Sequence, residues 1–370
     1  MSKVLLITNI PAPYRVDLFY YMQTHQQTHE FFVIYTNRNE DNRQWVIDER
    51  KLLQSTILES KIIKRKGEGD VHYLHIPQHL TREITRINPD VVIAWEYNPS
   101  ALKALLWCKR HGRKFIHLTD GTLHSERNIG RVQKLMRHII IRHADACIAS
   151  STKAKEKLLQ WGAPERKIFI SLLTVDVSHF QFVEKRENQH TLLFVGRIIP
   201  LKGLDLLLRA LPKLHQPFEL LIVGDGEAEE KAKLMAMAEE THVAQHIHWL
   251  GFQSGEPLAD AYRRASVFVL PTREDCFGLV LLEALCSGTP IVASKYADGA
   301  YDTVHPGENG LIVDPEDTDA LAEAIDSILS SEEIQRRYSQ NCRQYIPQFE
   351  FEAVMQGYLR AIASVTSGNE

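Results

Sequence analysis

The chain has 370 residues, of which 43 are Lys or Arg and 47 are Asp or Glu, so its formal charge is -4, and 44% of its residues are hydrophobic. This ordinary globular composition excludes a disordered chain and a mini-protein, and the length predicts two domains of fewer than 200 residues each. No apolar run is long enough for a membrane span or a signal peptide.

The cysteines and histidines indicate the compartment and the absence of a metal site. The five cysteines are odd in number and form no C-x-x-C pair. We therefore expect buried thiols in a reducing cytoplasm. The 17 histidines are scattered, without the spacing of a zinc site, so we expect no metal and no cofactor held by the protein.

Short apolar runs alternate with helical stretches along the whole chain, which is the pattern of parallel sheets covered by helices on both faces. In the first half we predict strands at residues 4–8, 31–35, 91–95, 115–119, 147–150 and 168–172. In the second half we predict strands at residues 192–195, 220–223, 247–250, 267–270, 291–293 and 311–313. Each set builds one doubly wound α/β domain.

The boundary between the domains is placed by composition and charge. Residues 184–189 contain no apolar side chain, so we predict a linker at about 178–190, between domains 1–180 and 190–347. Residues 1–180 carry 27 Lys and Arg against 18 Asp and Glu, whereas the remainder carries 16 against 29. The basic half suggests an anionic partner, although solvated cations on helix faces account for the charge equally.

Residues 125–144 are predicted to form an amphipathic basic helix. The apolar residues Ile129, Val132, Leu135, Met136, Ile139 and Ile140 fall at helical spacing. The other positions hold Arg127, Arg131, Lys134, Arg137, His138 and Arg142. Packing of the apolar stripe on the domain's own sheet explains this pattern. With the basic run Lys61, Lys64, Arg65 and Lys66, the helix also predicts electrostatic docking on an anionic membrane surface.

Two loops of the second half carry features that suit a polyanion. Residues 196–203 read GRIIPLKG after a predicted strand, so Gly196 allows a close backbone approach while Arg197 and Lys202 flank a turn into the helix at 204–211. A diphosphate fits this loop, and so does a turn with two exposed cations. The G-D-G after the next strand, which begins at Gly224, is a weak signal that a tight turn also explains.

The segment 271–290 carries the strongest signal. We predict a helix at 277–286 that is apolar on all sides except for one carboxylate, Glu283. A buried charge needs a partner or a polar ligand, so either a structural ion pair or a ligand site is implied. Asp275 adds a second carboxylate at the start of this helix, which favours the ligand.

Taken in order, these three segments resemble the retaining GT-B glycosyltransferases of family 4. The resemblance rests on G-R-x4-K-G, on V-G-D-G, and on the D-x7-E of Asp275 and Glu283 within F-G-L-V-x-x-E-A-x-x-x-G-x-P. It implies a GT-B fold, in which two doubly wound, Rossmann-like domains face a central cleft. The N-terminal domain would bind the acceptor and the C-terminal domain the nucleotide-sugar donor. A C-terminal helix at 348–366 would pack back on the N-terminal domain.

The resemblance also implies roles for individual residues. Arg197 and Lys202 would hold the donor diphosphate, and Glu283 would bind the ribose hydroxyls. Asp275 takes the place of the family's first glutamate near the donor sugar, with Glu274 as the neighbouring alternative. The backbone of Phe277, Gly278 and Leu279 would approach the sugar and phosphate.

Two N-terminal loops depart from the family pattern. Asp120 begins the sequence Asp-Gly-Thr where many members have a histidine, and it is a candidate for acceptor contact or proton handling. A turn aspartate that caps the following helix is the alternative. The first loop, residues 9–15, lacks the family's glycine pair and offers Arg15 as a phosphate or acceptor contact.

The resemblance thus predicts a cytoplasmic, metal-independent, retaining glycosyltransferase, and the basic helix adds a peripheral position on the inner membrane face as an expectation. The expected donor is a nucleotide-diphosphate sugar and, among these, a UDP-hexose. The expected acceptor is a glycan or lipid-linked sugar in cell-surface polysaccharide or lipopolysaccharide synthesis, and no nucleic acid is expected as a partner. A sugar phosphorylase, a nucleotide-sugar epimerase and a non-catalytic glycan-binding subunit remain as alternatives.

Overall fold

The computed structural model describes residues 1–41, 45–66, 71–184 and 190–366. These residues form two compact units. The first unit contains the described residues up to 176 together with 350–366, and the second contains those from 177 to 349. Of the predicted linker, residues 185–189 lie outside the described residues.

The described strands and helices are numbered in chain order. The strands are β1 (Ser2–Thr8), β2 (His29–Tyr35), β3 (Ser55–Ile57), β4 (Ser60–Lys66), β5 (Val71–Pro77), β6 (Val91–Trp95), β7 (Lys114–Thr119), β8 (Ala146–Ala149), β9 (Ile168–Ile170), β10 (Thr191–Val195), β11 (Glu219–Val223), β12 (Ile247–Gly251), β13 (Val267–Leu270), β14 (Ile291–Ser294) and β15 (Gly310–Val313). The helices are α1 (Pro13–His25), α2 (Leu80–Ile87), α3 (Pro99–His111), α4 (Arg131–His143), α5 (Thr152–Gln160), α6 (Leu204–Ala210), α7 (Ala228–Glu240), α8 (Glu256–Arg264), α9 (Leu279–Cys286), α10 (Ala300–Thr303), α11 (Thr318–Leu329), α12 (Glu332–Tyr345) and α13 (Phe351–Thr366). Short 3₁₀ turns include Pro200–Lys202.

The first unit is built on a parallel sheet in the order β3-β2-β1-β6-β7-β8-β9. Successive side chains of a strand point to opposite faces, so Val4 and Leu6 enter one core while Leu5 and Ile7 enter the other. Helices α1 and α13 cover the first of these cores, and α2, α3, α4 and α5 cover the second. This arrangement explains why the central strands are apolar throughout.

Helix α13 packs against β8 and β9 of the first unit. The hydroxyl of Ser171 donates a 2.9 Å hydrogen bond to the carbonyl of Val354. A Cβ atom on Gly357 would lie only 2.5 Å from that of Ser171, so this glycine permits the close approach of the helix. The chain therefore returns to the first unit after completing the second.

The second unit contains a parallel sheet in the order β12-β11-β10-β13-β14-β15. Strand β10 lies at the centre, between β11 and β13. The carboxyl ends of these three strands are therefore neighbours, and so are the loops that follow them. This topology brings together the three sequence segments that suggested a ligand.

All twelve predicted strands are present, but β3 and the antiparallel pair β4–β5 were not predicted. Strand β4 contains the basic run, whose alternation with Ile62 and Ile63 is too irregular to indicate a strand. The side chains of Arg65 and Lys66 lie outside the described part of the structure. Cys276 is only partly buried, whereas the other four cysteines are buried as expected. No helix in the described ranges is long and apolar enough to cross a membrane.

Candidate functional site

The loops after β10 and β13 meet at the carboxyl edge of the second sheet. Lys202 Nζ lies 2.5 Å from Asp275 Oδ2, although the two residues are 73 positions apart. Both side chains are mostly buried, and Arg197 on the same loop as Lys202 is half-buried. The predicted cations and carboxylate are thus held in one region of the second unit.

The carboxylate of Asp275 is held in its charged form. Burial alone would raise its pKa, but the charge and hydrogen bond of Lys202 outweigh burial. The backbone N–H groups of Phe277 and Gly278 also donate to this carboxylate, and the first of these bonds is 3.2 Å long. The pKa of Asp275 therefore lies below its usual value, and Asp275 already occupies an anion position between a lysine and backbone donors.

Helix α9 begins at Leu279, two residues later than predicted, because Gly278 adopts a left-handed conformation with φ of 79°. A left-handed residue cannot continue an α-helix, so Phe277 and Gly278 belong to the preceding loop. Their backbone N–H groups consequently point towards Asp275 instead of along the helix axis. Of the backbone predicted to approach the sugar, Phe277 and Gly278 therefore lie in the loop ahead of the helix, and Leu279 is the first residue of the helix.

Glu283 is held by a tyrosine and not by a cation. The hydroxyl of Tyr262 donates to Glu283 Oε2 at 2.8 Å. Burial raises the pKa of Glu283 to about 7, and this hydrogen bond opposes the rise. Across the residues that the structure describes, no Lys, Arg or His forms an ion pair with Glu283. Among the described residues, the buried carboxylate of Glu283 is therefore stabilised by a hydrogen bond and not by an ion pair. Tyr262 is a partner that the sequence analysis did not predict.

Arg273 was also missed, and it joins the two loops of the site. Its guanidinium donates to both carboxylate oxygens of Asp205, at 2.7 and 2.8 Å, and to the carbonyl of Pro200 at 2.7 Å. The hydroxyl of Thr272 donates to the carbonyl of Leu201 at 2.9 Å. A bidentate arginine fixes orientation as well as distance, so these bonds set the position of Lys202. An arginine in a polar loop gives no sequence signal for this role.

The glycines of the two loops have different structural reasons. A Cβ atom on Gly224 would lie 1.8 Å from the carbonyl oxygen of Gly196, and Gly224 has φ of 145°. A Cβ atom on Gly203 would lie 2.0 Å from the carbonyl oxygen of Pro271. On Gly196 itself the nearest atom would be a ring carbon of Phe194 at 3.5 Å, an ordinary contact. Packing thus requires Gly224 and Gly203, whereas no neighbour requires Gly196.

In the first unit, Asp120 lies at the carboxyl edge of the sheet, directly after β7. Arg15 donates to Asp120 Oδ2 at 2.8 Å, and the indole N–H of Trp95 lies 3.3 Å from Oδ1. The Arg15 guanidinium also donates to Thr8 and Asn9, each at 2.7 Å. The side chain of Asp120 is therefore an ion-pair partner of Arg15, and these bonds connect the two N-terminal loops that depart from the family pattern.

The loop of Asp120 is positioned by Glu96, which the sequence did not single out. Glu96 Oε1 accepts from the backbone N–H of Asp120 at 2.6 Å and from that of Gly121 at 3.3 Å. Burial raises the pKa of Glu96, although the nearby charge of Lys157 opposes this rise. Glu96 has φ of 59°, a conformation uncommon for a residue with a side chain. Strain of this kind persists where the surrounding contacts determine it.

A buried ionic cluster lies behind this loop. Lys157 is fully buried and donates to Thr119 at 2.8 Å and to Glu126 at 3.1 Å. Arg137 donates to the other oxygen of Glu126 at 2.6 Å. His117 is fully buried beside these charges, and burial lowers its pKa well below the usual value. Arg137, which was predicted to face solvent or a membrane, is thus part of the interior.

Over the described ranges, no group of three or more His, Cys, Asp or Glu side chains is arranged to hold a metal ion. In the second unit, the charged residues near the carboxyl edge include Arg197, Lys202, Asp275 and Glu283. An anion that enters this region meets fixed protein cations.

Two family models match successive parts of the chain. Residues 177–345 match the model described as glycosyl transferases group 1, and residues 23–179 match glycosyltransferase family 4. An uncharacterized glycosyltransferase of Methanocaldococcus jannaschii is 32% identical over 145 residues, which are 39% of this chain and 37% of that protein. The D-inositol 3-phosphate glycosyltransferase of Rhodococcus opacus is 28% identical over 245 residues, which are 61% of this chain and 55% of that protein. The chain thus covers less than two thirds of either relative.

Solved structures with similar folds match nearly the whole chain. Anabaena HepE in complex with UDP has a TM-score of 0.80 at 15% identity, with 98% of this chain and 100% of that chain covered. The apo form of the lipopolysaccharide outer core galactosyltransferase WaaB has a TM-score of 0.74 at 18% identity, with 98% and 99% covered. Identities this low establish likeness of fold only.

Proposed function

The chain belongs to the group 1 glycosyltransferases of the GT-B fold, and on this premise we propose that it transfers a hexose from a UDP-sugar to a glycan or lipid-linked acceptor. The observation that carries the proposal is the meeting of Lys202 and Asp275 at the carboxyl edge of the second sheet. This pair joins a cation for the diphosphate to a carboxylate for the sugar. We also propose a cytoplasmic location, on the cysteine pattern described above.

The proposed donor site uses the loops of the second unit. Arg197 and Lys202 hold the diphosphate, and the N–H groups of Phe277, Gly278 and Leu279 face the phosphate and sugar. Tyr262 occupies Glu283 Oε2, so Oε1 accepts from a ribose hydroxyl. In this structure the carboxylate of Asp275 accepts hydrogen bonds from Lys202 and from two backbone N–H groups. A phosphate that binds to these donors therefore displaces a carboxylate as well as water.

We propose that transfer retains the configuration of the donor sugar and needs no metal. Charge develops on the diphosphate as the bond to the sugar breaks, and fixed cations stabilise it. The carboxylate of Asp275 is already bonded to Lys202, so it is poorly placed for covalent attack on the sugar. Attack of the acceptor on the same face, assisted by the leaving phosphate, is consistent with this arrangement.

The proposed acceptor site lies in the first unit, at the loop of Asp120. The carboxylate of Asp120 contacts or deprotonates the acceptor. Arg15 holds this carboxylate, and Glu96 holds the backbone of the same residue. The similar protein of Rhodococcus opacus is named for D-inositol 3-phosphate and the similar structure WaaB for lipopolysaccharide. Both names refer to polyhydroxylated ring compounds, and we propose a glycan or lipid-linked sugar acceptor in cell-surface polysaccharide synthesis.

The direct test is turnover with a panel of nucleotide sugars and sugar acceptors. The expected result is acceptor-dependent release of UDP, and NMR of the first product formed shows the same anomeric configuration as in the donor. Activity that requires inorganic phosphate would instead indicate a phosphorylase, and conversion of the donor without an acceptor would indicate an epimerase. Binding of glycans without any turnover would support the non-catalytic alternative.

Arg197→Ala is expected to weaken UDP binding by about 1.5 to 3 kcal/mol, because a charge-assisted hydrogen bond to the diphosphate is lost. Isothermal titration calorimetry in EDTA measures this change, and the affinity of the unmodified protein should be the same with and without EDTA. Arg336→Ala, an exposed arginine on α12, is the matched control. A strict requirement for magnesium or manganese would contradict the proposal.

The two glycines of the donor loops should respond differently to alanine. Gly224→Ala is expected to lower the free energy of unfolding by about 1 to 3 kcal/mol, because its methyl group overlaps the carbonyl of Gly196. Gly196→Ala should change stability by less than about 0.5 kcal/mol and weaken UDP binding, because its methyl group occupies space proposed for the diphosphate. Urea unfolding and calorimetry separate the two effects. Equal loss of stability in both variants would show that Gly196 is also a packing glycine.

A further inference from the structure

Helix α4 buries only part of its apolar stripe in the first unit. Ile140 and Ile141 are buried, and Met136 and Ile139 pack against the same core. In the first turns of the helix, however, Val132 is 74% exposed and Leu135 is 59% exposed. The helix expected at 125–144 therefore begins only at Arg131, and its early apolar residues Val132 and Leu135 are exposed.

The exposed apolar residues are accompanied by exposed cations. Val132 and Leu135 are three positions apart and share one helix face, and Arg131 and Lys134 lie beside them with the same spacing. In the preceding turn, Leu123 is 39% exposed and Arg127 is also exposed. These six residues, Leu123, Arg127, Arg131, Val132, Lys134 and Leu135, are called the α4 surface below.

A concavity adjoins the α4 surface. Its volume is about 370 Å³, and its lining includes Leu123, Arg127, Ile129, Lys134 and Trp161. The lining combines apolar side chains with two cations, with Gln160 and with the carboxylate of Glu126, which is paired with Arg137 and Lys157. Isolated exposed apolar residues are common on proteins, but three next to three cations and a mixed concavity form a continuous amphipathic surface.

We propose that the α4 surface binds an anionic lipid bilayer. Arg127, Arg131 and Lys134 would lie at the level of the lipid phosphates, while Leu123, Val132 and Leu135 would enter the boundary between headgroups and acyl chains. The positive charge of residues 1–180, with 27 Lys and Arg against 18 Asp and Glu, is complementary to such a surface. Each cation near an anionic membrane contributes about five-fold to partitioning.

An anionic bilayer explains both the exposed cations and the exposed apolar residues of the α4 surface, whereas other anionic partners explain only the cations. A nucleic acid or a free phosphate would engage the cations but would leave Val132 and Leu135 in water. Neutral lipid would accept the apolar residues but would leave the cations without counter-charges. Because the proposal depends only on this surface, it stands or fails independently of transferase activity.

The α4 surface lies near the proposed acceptor loop, and the following step rests on the proposed function. The chain enters α4 from the loop that follows β7, so the α4 surface and Asp120 lie at the same, carboxyl edge of the first sheet. Membrane attachment there would place the proposed acceptor loop near headgroups. A lipid-linked sugar could then reach Asp120 without leaving the bilayer.

Vesicle co-sedimentation of the full chain tests the proposal. Binding to phosphatidylcholine vesicles that contain about 30% phosphatidylglycerol is compared with binding to pure phosphatidylcholine vesicles. We expect binding to the anionic vesicles only. Arg131→Glu with Lys134→Glu should reduce partitioning about 25-fold or more, and Val132→Ser with Leu135→Ser about ten-fold at unchanged charge. Thermal unfolding of each variant verifies that the fold is intact.

Two matched controls separate position from composition. Arg110→Glu with Arg142→Glu changes the charge equally, but these exposed residues lie at the C-terminal ends of α3 and α4. Leu53→Ser removes an exposed leucine next to β3, which is the outermost strand on one side of the first sheet. Both controls should bind as the unmodified protein does. The proposal fails if neutral and anionic vesicles bind equally or not at all, if the charge control loses as much binding, or if Val132→Ser with Leu135→Ser has no effect.

Discussion

Asp275→Asn is expected to lower turnover by about 100-fold or more while the affinity for UDP does not fall. In the structure the carboxylate of Asp275 is charged, held by Lys202 and by the backbone N–H groups of Phe277 and Gly278. In the proposed position near the donor sugar, this fixed negative charge would stabilise the positive charge that develops on the sugar ring as its bond to phosphate breaks. Asparagine has the same shape but no charge, and it offers one acceptor oxygen where Asp275 accepts from Lys202 on one oxygen and from Phe277 on the other. The missing charge is expected to appear mainly as a loss of turnover.

The affinity for UDP is predicted to hold because, in the proposed donor site, Asp275 and the diphosphate both bind to Lys202. The carboxylate lies 2.5 Å from Lys202 Nζ, where a phosphate oxygen would have to bind. An asparagine there releases Lys202, and the phosphate no longer displaces an ion pair. Steady-state kinetics give turnover, and calorimetry with UDP gives affinity. Glu274→Gln is the matched control, and a 100-fold loss in that variant instead would mean that Glu274 faces the sugar.

Glu283→Gln is expected to stabilise the empty protein at alkaline pH and to weaken UDP binding. Burial raises the pKa of Glu283 to about 7, above the usual value of 4.5. Between these pH values the folded state binds more protons than the unfolded state, so this residue's contribution to stability is lost as pH rises. Gln removes that dependence, and the variant should gain up to about 3 kcal/mol relative to the unmodified protein between pH 5 and pH 8.

Urea unfolding of both proteins at pH 5 and pH 8 measures this difference, because contributions of other groups cancel in the comparison. UDP binding at pH 8 should fall at least about ten-fold in Glu283→Gln, since charge-assisted bonds to the ribose are lost. Tyr262→Phe removes the hydrogen bond that opposes the effect of burial, so it should move the pH midpoint upwards. A large loss of stability in Glu283→Gln with UDP binding intact would show that the carboxylate serves the fold.

Both variants examine contacts that link distant parts of the second unit. Lys202 and Asp275 lie 73 positions apart, and Tyr262 and Glu283 lie 21 apart. The sequence indicated Lys202, Asp275 and Glu283 by their chemistry, but it left the pairing of the first two open and did not point to Tyr262. The partners determine whether the group is charged, and so they determine what it can bind.

Sequence patterns alone predicted the doubly wound fold and the loops that carry the donor motifs. Buried parallel strands are apolar over most of their length, so twelve of the described strands were recognisable as apolar runs. Glycine, lysine and carboxylate residues directly after such strands are conspicuous because the surrounding sequence is apolar. The shared edge of these loops follows from parallel topology.

Contacts between residues far apart in sequence could not be predicted in the same way. Arg273 joins the donor loops, Glu96 holds the loop of Asp120, and Arg137 turns inwards to Glu126. Each is a charged residue whose default environment is water, so its local sequence gives no sign of a buried partner. The exposed start of α4 has the same cause, because helical periodicity identifies an apolar stripe but not what covers it.

The chemistry available to this protein can be predicted from its sequence, because residue types and the positions where strands end are local properties. The arrangement of that chemistry depends on the three-dimensional fold. It placed Asp275 on Lys202, gave Glu283 a tyrosine partner, distinguished Gly224 from Gly196 and left Val132 and Leu135 exposed. Burial, charge pairing and steric overlap depend on atoms brought together by the fold, and these set the pKa values, the permitted side chains and the accessible surface.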